Sequence, residues 1–347
     1  MKQLIALTFF ALSTLAFSVE GSAQLFGESQ ELSKKNSAPA LPGLGADSAQ
    51  VSVSGISAGA FMATQLQVAY SASLIGVGSI AGGPWNCSEG SMLTAQLDCM
   101  YMTSNVDPKA LVSGLRKVAA RKKVDSLDHL KTARVYLYNS PDDAVVHPPM
   151  NDKTKEFYEA FVDSANIKTE TSIHSAHGFP TLDYGLACDK MDSPYINNCK
   201  FDGAGELLKH IYDQRQLTRG TADKNSLTKF DQTEFGSVGI QLADYGYLYV
   251  PEACKTKGAR CPVHVALHGC LQALENVKDD FVVHAGYNDW AEGSKIIILY
   301  PQAKSGSGNP NACFDWWGFT GDDYATKNGP QMKAIKAMID RVLSQAS

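Results

Sequence analysis

A serine in a Gly-x-Ser-x-Gly pattern is the sharpest chemical feature of this sequence. Segment 55–59 reads Gly-Ile-Ser-Ala-Gly, follows a strand-like run at 51–54 and precedes helical spacing over 58–70. Such a strand-to-helix turn holds a serine in a strained conformation at a helix N-terminus, where backbone N–H groups stabilise a developing oxyanion. The bare pattern also occurs in Gly/Ser-rich turns without chemistry, but its placement here predicts that Ser57 is a nucleophile.

A serine nucleophile needs a histidine base and an acid that orients the base. In α/β-hydrolases these groups follow the chain order serine, acid, histidine. A strand predicted over 134–139 runs into a loop with Asp142 and Asp143, and either carboxylate can serve as the acid. His177 lies beside a glycine in the loop after the next predicted strand, 168–174, and is the predicted base. His174 belongs to that strand and is predicted to be structural.

A strand that ends in His-Gly comes after all of these residues. The buried-strand pattern over 263–267 continues into His268, Gly269 and Cys270. In many esterases a strand of this kind supplies the second oxyanion donor and precedes the nucleophile. The following strand, which begins near residue 296, is also one normally found upstream of the serine. The displaced order of both strands predicts a circularly permuted α/β-hydrolase.

Strand-like and helix-like segments alternate from about residue 49 onward. Strands are predicted over 51–54, 74–81, 134–139, 168–174, 263–267 and 296–300, and helices over 58–70, from Pro108 onward, and over 152–165, 206–214 and 331–343. This alternation is typical of a mostly parallel sheet with helices on both faces. The fold class is therefore α/β, with a single catalytic domain over 49–347.

The first 48 residues differ from the rest. Lys2 precedes an apolar run at 4–17, and small residues at 21–23 precede Gln24, which is typical of a cleaved signal peptide over 1–23. Residues 24–48, rich in Ser, Gly, Ala and Pro, are predicted to form a flexible arm. These features predict a secreted or periplasmic protein.

The cysteines agree with export. All 8 follow the N-terminal segment, and an even number in an exported chain favours disulfides over a metal site. Pairing sequence neighbours, and then the two that remain, gives the simplest set of bridges: Cys87–Cys99, Cys188–Cys199, Cys254–Cys261 and Cys270–Cys313.

The composition and charge of the chain restrict the classes of partner that it can bind. The 347 residues are 44% hydrophobic and 19% charged, with a formal net charge of -5. The sequence has no basic run of the kind that binds nucleic acid, and beyond the N-terminal segment no run suited to crossing a membrane. The acidic balance fits a neutral or apolar substrate.

Taken together, these segments resemble the poly(3-hydroxybutyrate) depolymerases, in their permuted single-domain branch. The resemblance covers about residues 50–345. The segments that carry it are 54–63, 141–148, 177–181, 267–270 with Gln272, 300–302 and 313–318. It implies an esterase acting on short-chain polyhydroxyalkanoate, with Ser57 as nucleophile and His177 as base.

The resemblance also implies roles for other positions. The family's acidic loop favours Asp143 as the acid, although Asp142 remains open. The implied oxyanion donors are the backbone N–H groups of Ala58 and Cys270. Trp316 and Trp317 resemble the family's polymer-contacting surface, and core packing under a disulfide-tied loop is an equal alternative for them. Position 314 is Phe where the family often has Trp.

We therefore expect an exported serine esterase that hydrolyses poly(3-hydroxybutyrate) or its oligomers through an acyl-enzyme. No metal or organic cofactor is expected, and the expected partner is a polyester or hydroxyacid oligomer. A feruloyl or acetyl esterase of the same fold would share the triad and differ at the aromatic surface. A non-catalytic polymer-binding protein that kept the fold, or an exported interaction protein with a coincidental motif, would not react with a serine-directed phosphonate.

Overall fold

An eight-stranded, mostly parallel sheet carries the residues singled out above. The structure, a computed structural model, describes residues 38–236, 239–256 and 258–345. Its strands are β1 (Val51–Ile56), β2 (Gly76–Ile80), β3 (Arg134–Tyr138), β4 (Ile167–Glu170), β5 (Phe179–Thr181), β6 (Leu186–Ala187), β7 (Ile196–Asn198), β8 (Leu227–Asp231), β9 (Tyr245–Tyr249), β10 (Val263–Leu267) and β11 (Ile297–Tyr300). The large sheet has the order β4-β3-β2-β1-β10-β11-β9-β8, and a small sheet has the order β5-β7-β6.

The strand order confirms the predicted permutation. β1, which leads into Ser57, lies between β2 and β10 and runs parallel to both. The His-Gly strand β10 is thus its neighbour in space, although about two hundred residues separate them in the chain. Moving β8–β11 ahead of β1 would restore the order in which the oxyanion strand precedes the nucleophile. Strand β9 runs antiparallel to both of its neighbours, β11 and β8, at one edge of the large sheet.

Helices cover both faces of this sheet, as the sequence predicts. They are α1 (Ala58–Ala69), α2 (Met92–Gln96), α3 (Pro108–Ala120), α4 (Pro149–Glu159), α5 (Gly203–Ile211), α6 (Leu274–Val277), α7 (Asp280–His284), α8 (Tyr287–Ser294) and α9 (Pro330–Leu343). One apolar core contains residues of α1, α3, α4 and α9, and the other contains residues of α5, α7 and α8. Successive side chains of a strand point to opposite faces, so β1 contributes Val51 and Val53 to the first core.

The predicted start of α4 and the predicted end of β4 are wrong. Helix α4 begins at Pro149 rather than Asp152, because a proline is tolerated in the first turn, where its missing N–H has no helical partner. Strand β4 ends at Glu170 and does not reach His174, which is therefore a loop residue. The start of α3 follows the prediction, since the Asp107 carboxylate caps it by accepting from the Lys109 N–H, at 2.9 Å.

The predicted signal peptide, 1–23, and the first part of the predicted arm, 24–37, lie outside the described residues. The remainder of the arm, 38–48, is not loose. Leu41 and Ala46 are buried in the first core. The Leu44 N–H donates to the Val342 carbonyl at 3.0 Å, and the Asp47 N–H donates to the Cys261 carbonyl at 2.9 Å. These apolar anchors and backbone bonds hold the segment, so the predicted flexible arm must be corrected here.

All four predicted disulfides are confirmed. The structure joins Cys87–Cys99, Cys188–Cys199, Cys254–Cys261 and Cys270–Cys313. All 8 cysteines of the sequence are therefore paired. Within the described part of the chain, no helix has the length and apolar character needed to cross a membrane.

Candidate active site

Ser57 occupies a sharp turn between β1 and α1. Its backbone has φ 54° and ψ -124°, a conformation that a residue with a side chain rarely adopts. The Ser57 N–H donates to the Ile80 carbonyl of β2 at 2.9 Å, and its own carbonyl accepts from Phe61 at 3.0 Å. Hydrogen bonds to β2 and to the first turn of α1 therefore hold the Ser57 backbone in place, as a nucleophile elbow requires.

The two glycines of the pattern are needed for close approach of the backbone. A Cβ on Gly55 would lie 2.3 Å from the carbonyl carbon of Gly59. A Cβ on Gly59 would lie 2.4 Å from the carbonyl oxygens of Leu267 and His268. Real Cβ atoms do not come so close to backbone, so a side chain at 55 would push α1 away from β1, and one at 59 would push α1 away from the end of β10. The spacing of the motif thus reflects how tightly the elbow packs against the His-Gly strand.

Asp143 and His177 form a buried pair beside this turn. The His177 Nδ1 lies 2.8 Å from the Asp143 Oδ2, and the two side chains are 11% and 2% exposed. The other carboxylate oxygen, Oδ1, accepts from the N–H groups of Val145 at 2.8 Å and Val146 at 3.0 Å. This geometry leaves Nε2 of His177 free to face a proton donor, since Nδ1 is directed at the carboxylate.

Asp142 forms a second pair, with His174, at 2.9 Å from Oδ2 to Nδ1. Their side chains are 57% and 71% exposed, and neither lines the cavity onto which Ser57 opens. The adjacent aspartates therefore sit in opposite environments, one buried beside His177 and one on the surface. Sequence reasoning could not separate them, because both stand in the same loop.

Hydrogen bonds join the acid loop to the histidine segment. The Ser140 Oγ accepts from the N–H groups of Ser175 at 2.8 Å and Asp142 at 3.0 Å. The hydroxyls of Tyr138 and Ser175 are 2.9 Å apart. Burial raises the pKa of Tyr138 to about 12, so this hydroxyl stays protonated at neutral pH. These contacts fix the distance between the two loops that carry Asp143 and His177.

The candidate oxyanion donors lie on either side of Ser57. Ala58 is the first residue of α1, where a backbone N–H has no partner within the helix. Cys270 follows Gly269 in the turn after β10, and a Cβ on Gly269 would lie 3.3 Å from the Ser57 Cβ. The permuted strand therefore places the His-Gly turn directly against the serine.

Ser57 and His177 both line one cavity of about 550 Å³. Gly269, Cys270, Trp316 and Trp317 also line it. Further apolar residues of its wall and mouth, which sequence reasoning missed, are Phe61, Met92, Leu97, Met100, Tyr101 and Met191. Phe61 belongs to α1, Met92 begins α2, and Leu97, Met100 and Tyr101 lie in the helical turn that follows α2. Met191 comes from a loop far along the chain, so only the fold brings these segments together.

The two tryptophans of the aromatic loop are buried and also lie at the cavity wall, so neither of their two predicted roles is excluded. Trp316 and Trp317 line the cavity, yet they are only 6% and 8% exposed. Trp316 stacks on Phe61 with ring centroids 4.2 Å apart and lies edge-on to Trp317 at 5.6 Å. Phe314 is fully buried and does not line the cavity.

A buried carboxylate shapes the aromatic loop. The Asp315 Oδ1 accepts from the N–H groups of Gly318 at 2.7 Å and Phe319 at 3.1 Å, and Oδ2 accepts from the Thr320 N–H at 2.9 Å. Burial raises the Asp315 pKa. The loop that carries both tryptophans is thus folded around this side chain. Among residues 38–236, 239–256 and 258–345, no three His, Cys, Asp or Glu side chains are grouped to hold a metal ion.

A mostly parallel sheet with an elbow serine, and a buried Asp–His pair whose histidine faces the same cavity, define an α/β-hydrolase of the serine-hydrolase class. No protein-family model matches the sequence. Among curated proteins, the chain is 41% identical over 307 residues to a poly(3-hydroxybutyrate) depolymerase of Delftia acidovorans, covering 88% of this chain and 62% of that protein. It is 36% identical over 325 residues to a polyhydroxybutyrate depolymerase of Talaromyces funiculosus, covering 88% of this chain and 93% of that protein.

A solved structure is also similar. It is a PHB depolymerase with a serine-to-alanine substitution, complexed with an R3HB trimer. The match has a TM-score of 0.82 and 34% identity, and covers 88% of this chain and 98% of that one. The chain belongs to the poly(3-hydroxybutyrate) depolymerase family, whose members are carboxylic ester hydrolases. The resemblance inferred from the sequence is therefore confirmed.

Proposed function

We propose that this protein is an exported serine esterase that hydrolyses poly(3-hydroxybutyrate) or its oligomers through Ser57, His177 and Asp143. The observation that carries the proposal is the cavity, because it is lined both by an elbow serine and by a histidine that is paired with a buried carboxylate. Family membership supplies the substrate class, since the relatives are named for this polyester.

In the proposed reaction, the Ser57 Oγ attacks the ester carbonyl while the Nε2 of His177 takes its proton. The N–H groups of Ala58 and Cys270 hold the oxyanion of the tetrahedral intermediate. The intermediate collapses with cleavage of the acyl C–O bond, and His177 donates the proton to the departing alkoxide oxygen, which leaves as a hydroxyl. Water, activated by the same histidine, hydrolyses the acyl-enzyme and releases a hydroxyacid or oligomer. Asp143 keeps the proton of the imidazole on Nδ1 and stabilises the imidazolium that forms.

The apolar mouth of the cavity supports a polyester substrate. Met92, Leu97, Tyr101 and Met191 line the cavity and are 43%, 42%, 47% and 54% exposed. Large apolar side chains grouped at a surface mark a binding site. A hydroxybutyrate chain presents methyl and methylene groups between its esters, and burying them contributes about 25 cal/mol per Å².

The disulfides support export, because bridges persist in oxidising compartments and are rare in the cytosol. All 8 cysteines take part in them. The predicted signal peptide over 1–23 fits the same route. Secretion to the medium and residence in the periplasm both satisfy these features.

The test compares wild type with Ser57→Ala on a hydroxybutyrate trimer, a small aryl ester and a feruloyl ester. We expect the substitution to reduce turnover by about 10⁶-fold, as loss of a triad serine does. Ser54→Ala is the matched control, because Ser54 is buried three residues earlier and does not line the cavity. A phosphonate that labels wild type and Ser54→Ala should not label Ser57→Ala.

Two results would refute parts of the proposal. Wild-type turnover retained by Ser57→Ala would remove Ser57 from the mechanism. A wild-type preference for the feruloyl ester over the hydroxybutyrate trimer would assign the site to the plant-polysaccharide esterases instead.

A further inference from the structure

In the turn after β10, both the backbone N–H and the carbonyl of Gly269 form hydrogen bonds with side chains. The Gly269 carbonyl lies 2.7 Å from the Nδ1 of His268 and also accepts, at a longer 3.3 Å, from the Gln272 N–H. The Gly269 N–H donates to the Oε1 of Gln272 at 2.8 Å. The Nε2 of Gln272 donates in turn to the carbonyls of Pro194 at 3.1 Å and Tyr195 at 2.8 Å. The two peptide groups that flank Gly269 are therefore both held by side chains.

The surroundings of His268 determine which ring nitrogen carries the proton. The Ala303 N–H donates to Nε2 at 3.1 Å, so Nε2 is an acceptor and the proton is on Nδ1. His268 is fully buried, and burial lowers its pKa to about 4, which keeps the ring neutral at pH 7. Phe314 packs on the ring at 4.7 Å between centroids. The neutral ring thus donates from Nδ1 to the Gly269 carbonyl.

This bond also orients the next backbone N–H. The Gly269 carbonyl and the Cys270 N–H belong to one planar peptide group, in which they point in opposite directions. Fixing the carbonyl oxygen against His268 therefore fixes the direction of the Cys270 N–H. Since Gly269 lies against Ser57, a small rotation of this peptide would turn the N–H away from the reacting oxygen.

We propose that His268 is a positioning residue, whose Nδ1–H holds the Gly269–Cys270 peptide so that the Cys270 N–H is aimed at the oxyanion. The inference rests on the proposed esterase function. It gives the buried histidine of the His-Gly strand a role in the reaction without contact to substrate.

Two substitutions separate this role from a structural one. In His268→Asn, the amide N–H lies near the position of Nδ1 and can donate to the Gly269 carbonyl. In His268→Gln, the amide oxygen reaches toward the Ala303 N–H, and the bond to Gly269 is lost. Each variant gives up one buried hydrogen bond, so a structural role alone predicts similar thermal midpoints and similar rates.

The proposal instead predicts different rates. On a soluble aryl ester, His268→Gln should lose about 30- to 100-fold in kcat, below the 10²- to 10³-fold cost of removing an oxyanion donor outright. His268→Asn should stay within about fivefold of wild type, and KM should change little in either, because the oxyanion forms only after binding. Inactivation by a phosphonate should slow in parallel with kcat.

His264→Gln is the matched control. His264 is fully buried in the same strand, and its ring nitrogens lie 2.7 Å from the hydroxyls of Ser52 and Ser54, away from the turn. We expect this variant to lose stability with kcat within about threefold of wild type. Should the His268 variants fail to fold, histidine-selective isotope labelling and NMR of the wild-type enzyme still report the tautomer.

The outcomes are distinct from those for the proposed function. A wild type that hydrolyses no ester refutes the function itself. A wild type whose hydrolysis depends on Ser57, but whose His268→Asn and His268→Gln variants have equal kcat, refutes only the role of His268. A His268 ring protonated on Nε2 instead of Nδ1 would also overturn it.

Discussion

Asp143→Asn should lower kcat by about 10⁴-fold, the loss expected when a triad acid becomes an amide. Asp142→Asn, one residue away, should leave kcat within about threefold of wild type. A difference of 10⁴ in rate corresponds to about 5.4 kcal/mol in the activation barrier. The two substitutions remove the same charge from the same loop, so this contrast measures only which carboxylate faces the base.

The magnitude follows from the hydrogen bonds of Asp143. Its Oδ1 accepts from the N–H groups of Val145 and Val146, so an asparagine must direct its oxygen to them. The amide NH₂ then faces the Nδ1 of His177, which has to become an acceptor. The imidazole proton moves to Nε2, and the ring can no longer take the proton of Ser57. The opposite amide orientation leaves two backbone donors facing NH₂, at a cost of about 1–3 kcal/mol for each unsatisfied group.

Asp142 has no such constraint. Its pair with His174 is more than half exposed on both sides, and solvent-exposed ion pairs contribute about 0–1 kcal/mol. An asparagine there can still accept hydrogen bonds from solvent. Stability and kcat should therefore change little.

The assay is hydrolysis of a soluble aryl ester by purified wild type, Asp142→Asn and Asp143→Asn, with thermal midpoints recorded for each. Midpoints of all three within a few degrees would show that rates report chemistry. Equal losses in both variants, or a larger loss in Asp142→Asn, would refute the assignment of the acid to Asp143.

Three further predictions concern the cavity wall, the Cys270–Cys313 disulfide and the two buried histidines, His264 and His268. Trp317→Ala should reduce hydrolysis of the hydroxybutyrate trimer by about tenfold more than hydrolysis of the aryl ester. This ratio corresponds to the loss of about 1.4 kcal/mol of apolar contact with the trimer. Equal losses on both substrates, together with a lowered thermal midpoint, would show that Trp317 is only a core residue. Thiol alkylation of the native protein should leave activity intact, because Cys270 is bridged to Cys313. Reduction of the disulfides before alkylation should destabilise the fold, since this bridge spans 43 residues and contributes about 4 kcal/mol. Inactivation by alkylation without reduction would indicate a reactive thiol. Burial lowers the pKa values of His264 and His268 to about 3 and about 4, so the unfolded chain binds more protons as the pH falls below 6.5. Urea unfolding should therefore give a free energy about 4 kcal/mol lower at pH 5 than at pH 8, and His264→Gln should halve that difference; an unchanged difference would assign the effect to other groups.

The elements with the strongest local patterns could be predicted from the sequence. Val51–Ile56 and Ala58–Ala69 have their predicted types because the alternation in the strand and the small residues of the elbow are local signals. The edge strand β8, its neighbour β9 and the small sheet of β5, β6 and β7 escaped prediction. Each has only two to five residues, which is too short for an alternating pattern to stand out from the surrounding loops.

The sequence by itself determined the chemistry that this chain can support. It marked Ser57 by the Gly-x-Ser-x-Gly pattern, indicated His177 as the base, and showed the permutation through the order of its strands. These features are decided by residue type and by neighbours along the chain, which the sequence displays directly.

The tertiary structure alone decided which groups meet. Asp142 and Asp143 differ by one position, and only the direction of the loop buries the second against His177. Met92, Tyr101 and Met191 meet in the cavity wall. Gln272 bonds to the Gly269 N–H, and Ala303 bonds to the His268 ring that holds the Gly269 carbonyl. Such contacts arise because a sheet brings the ends of distant strands together, and no periodicity along the chain records which loops will be adjacent.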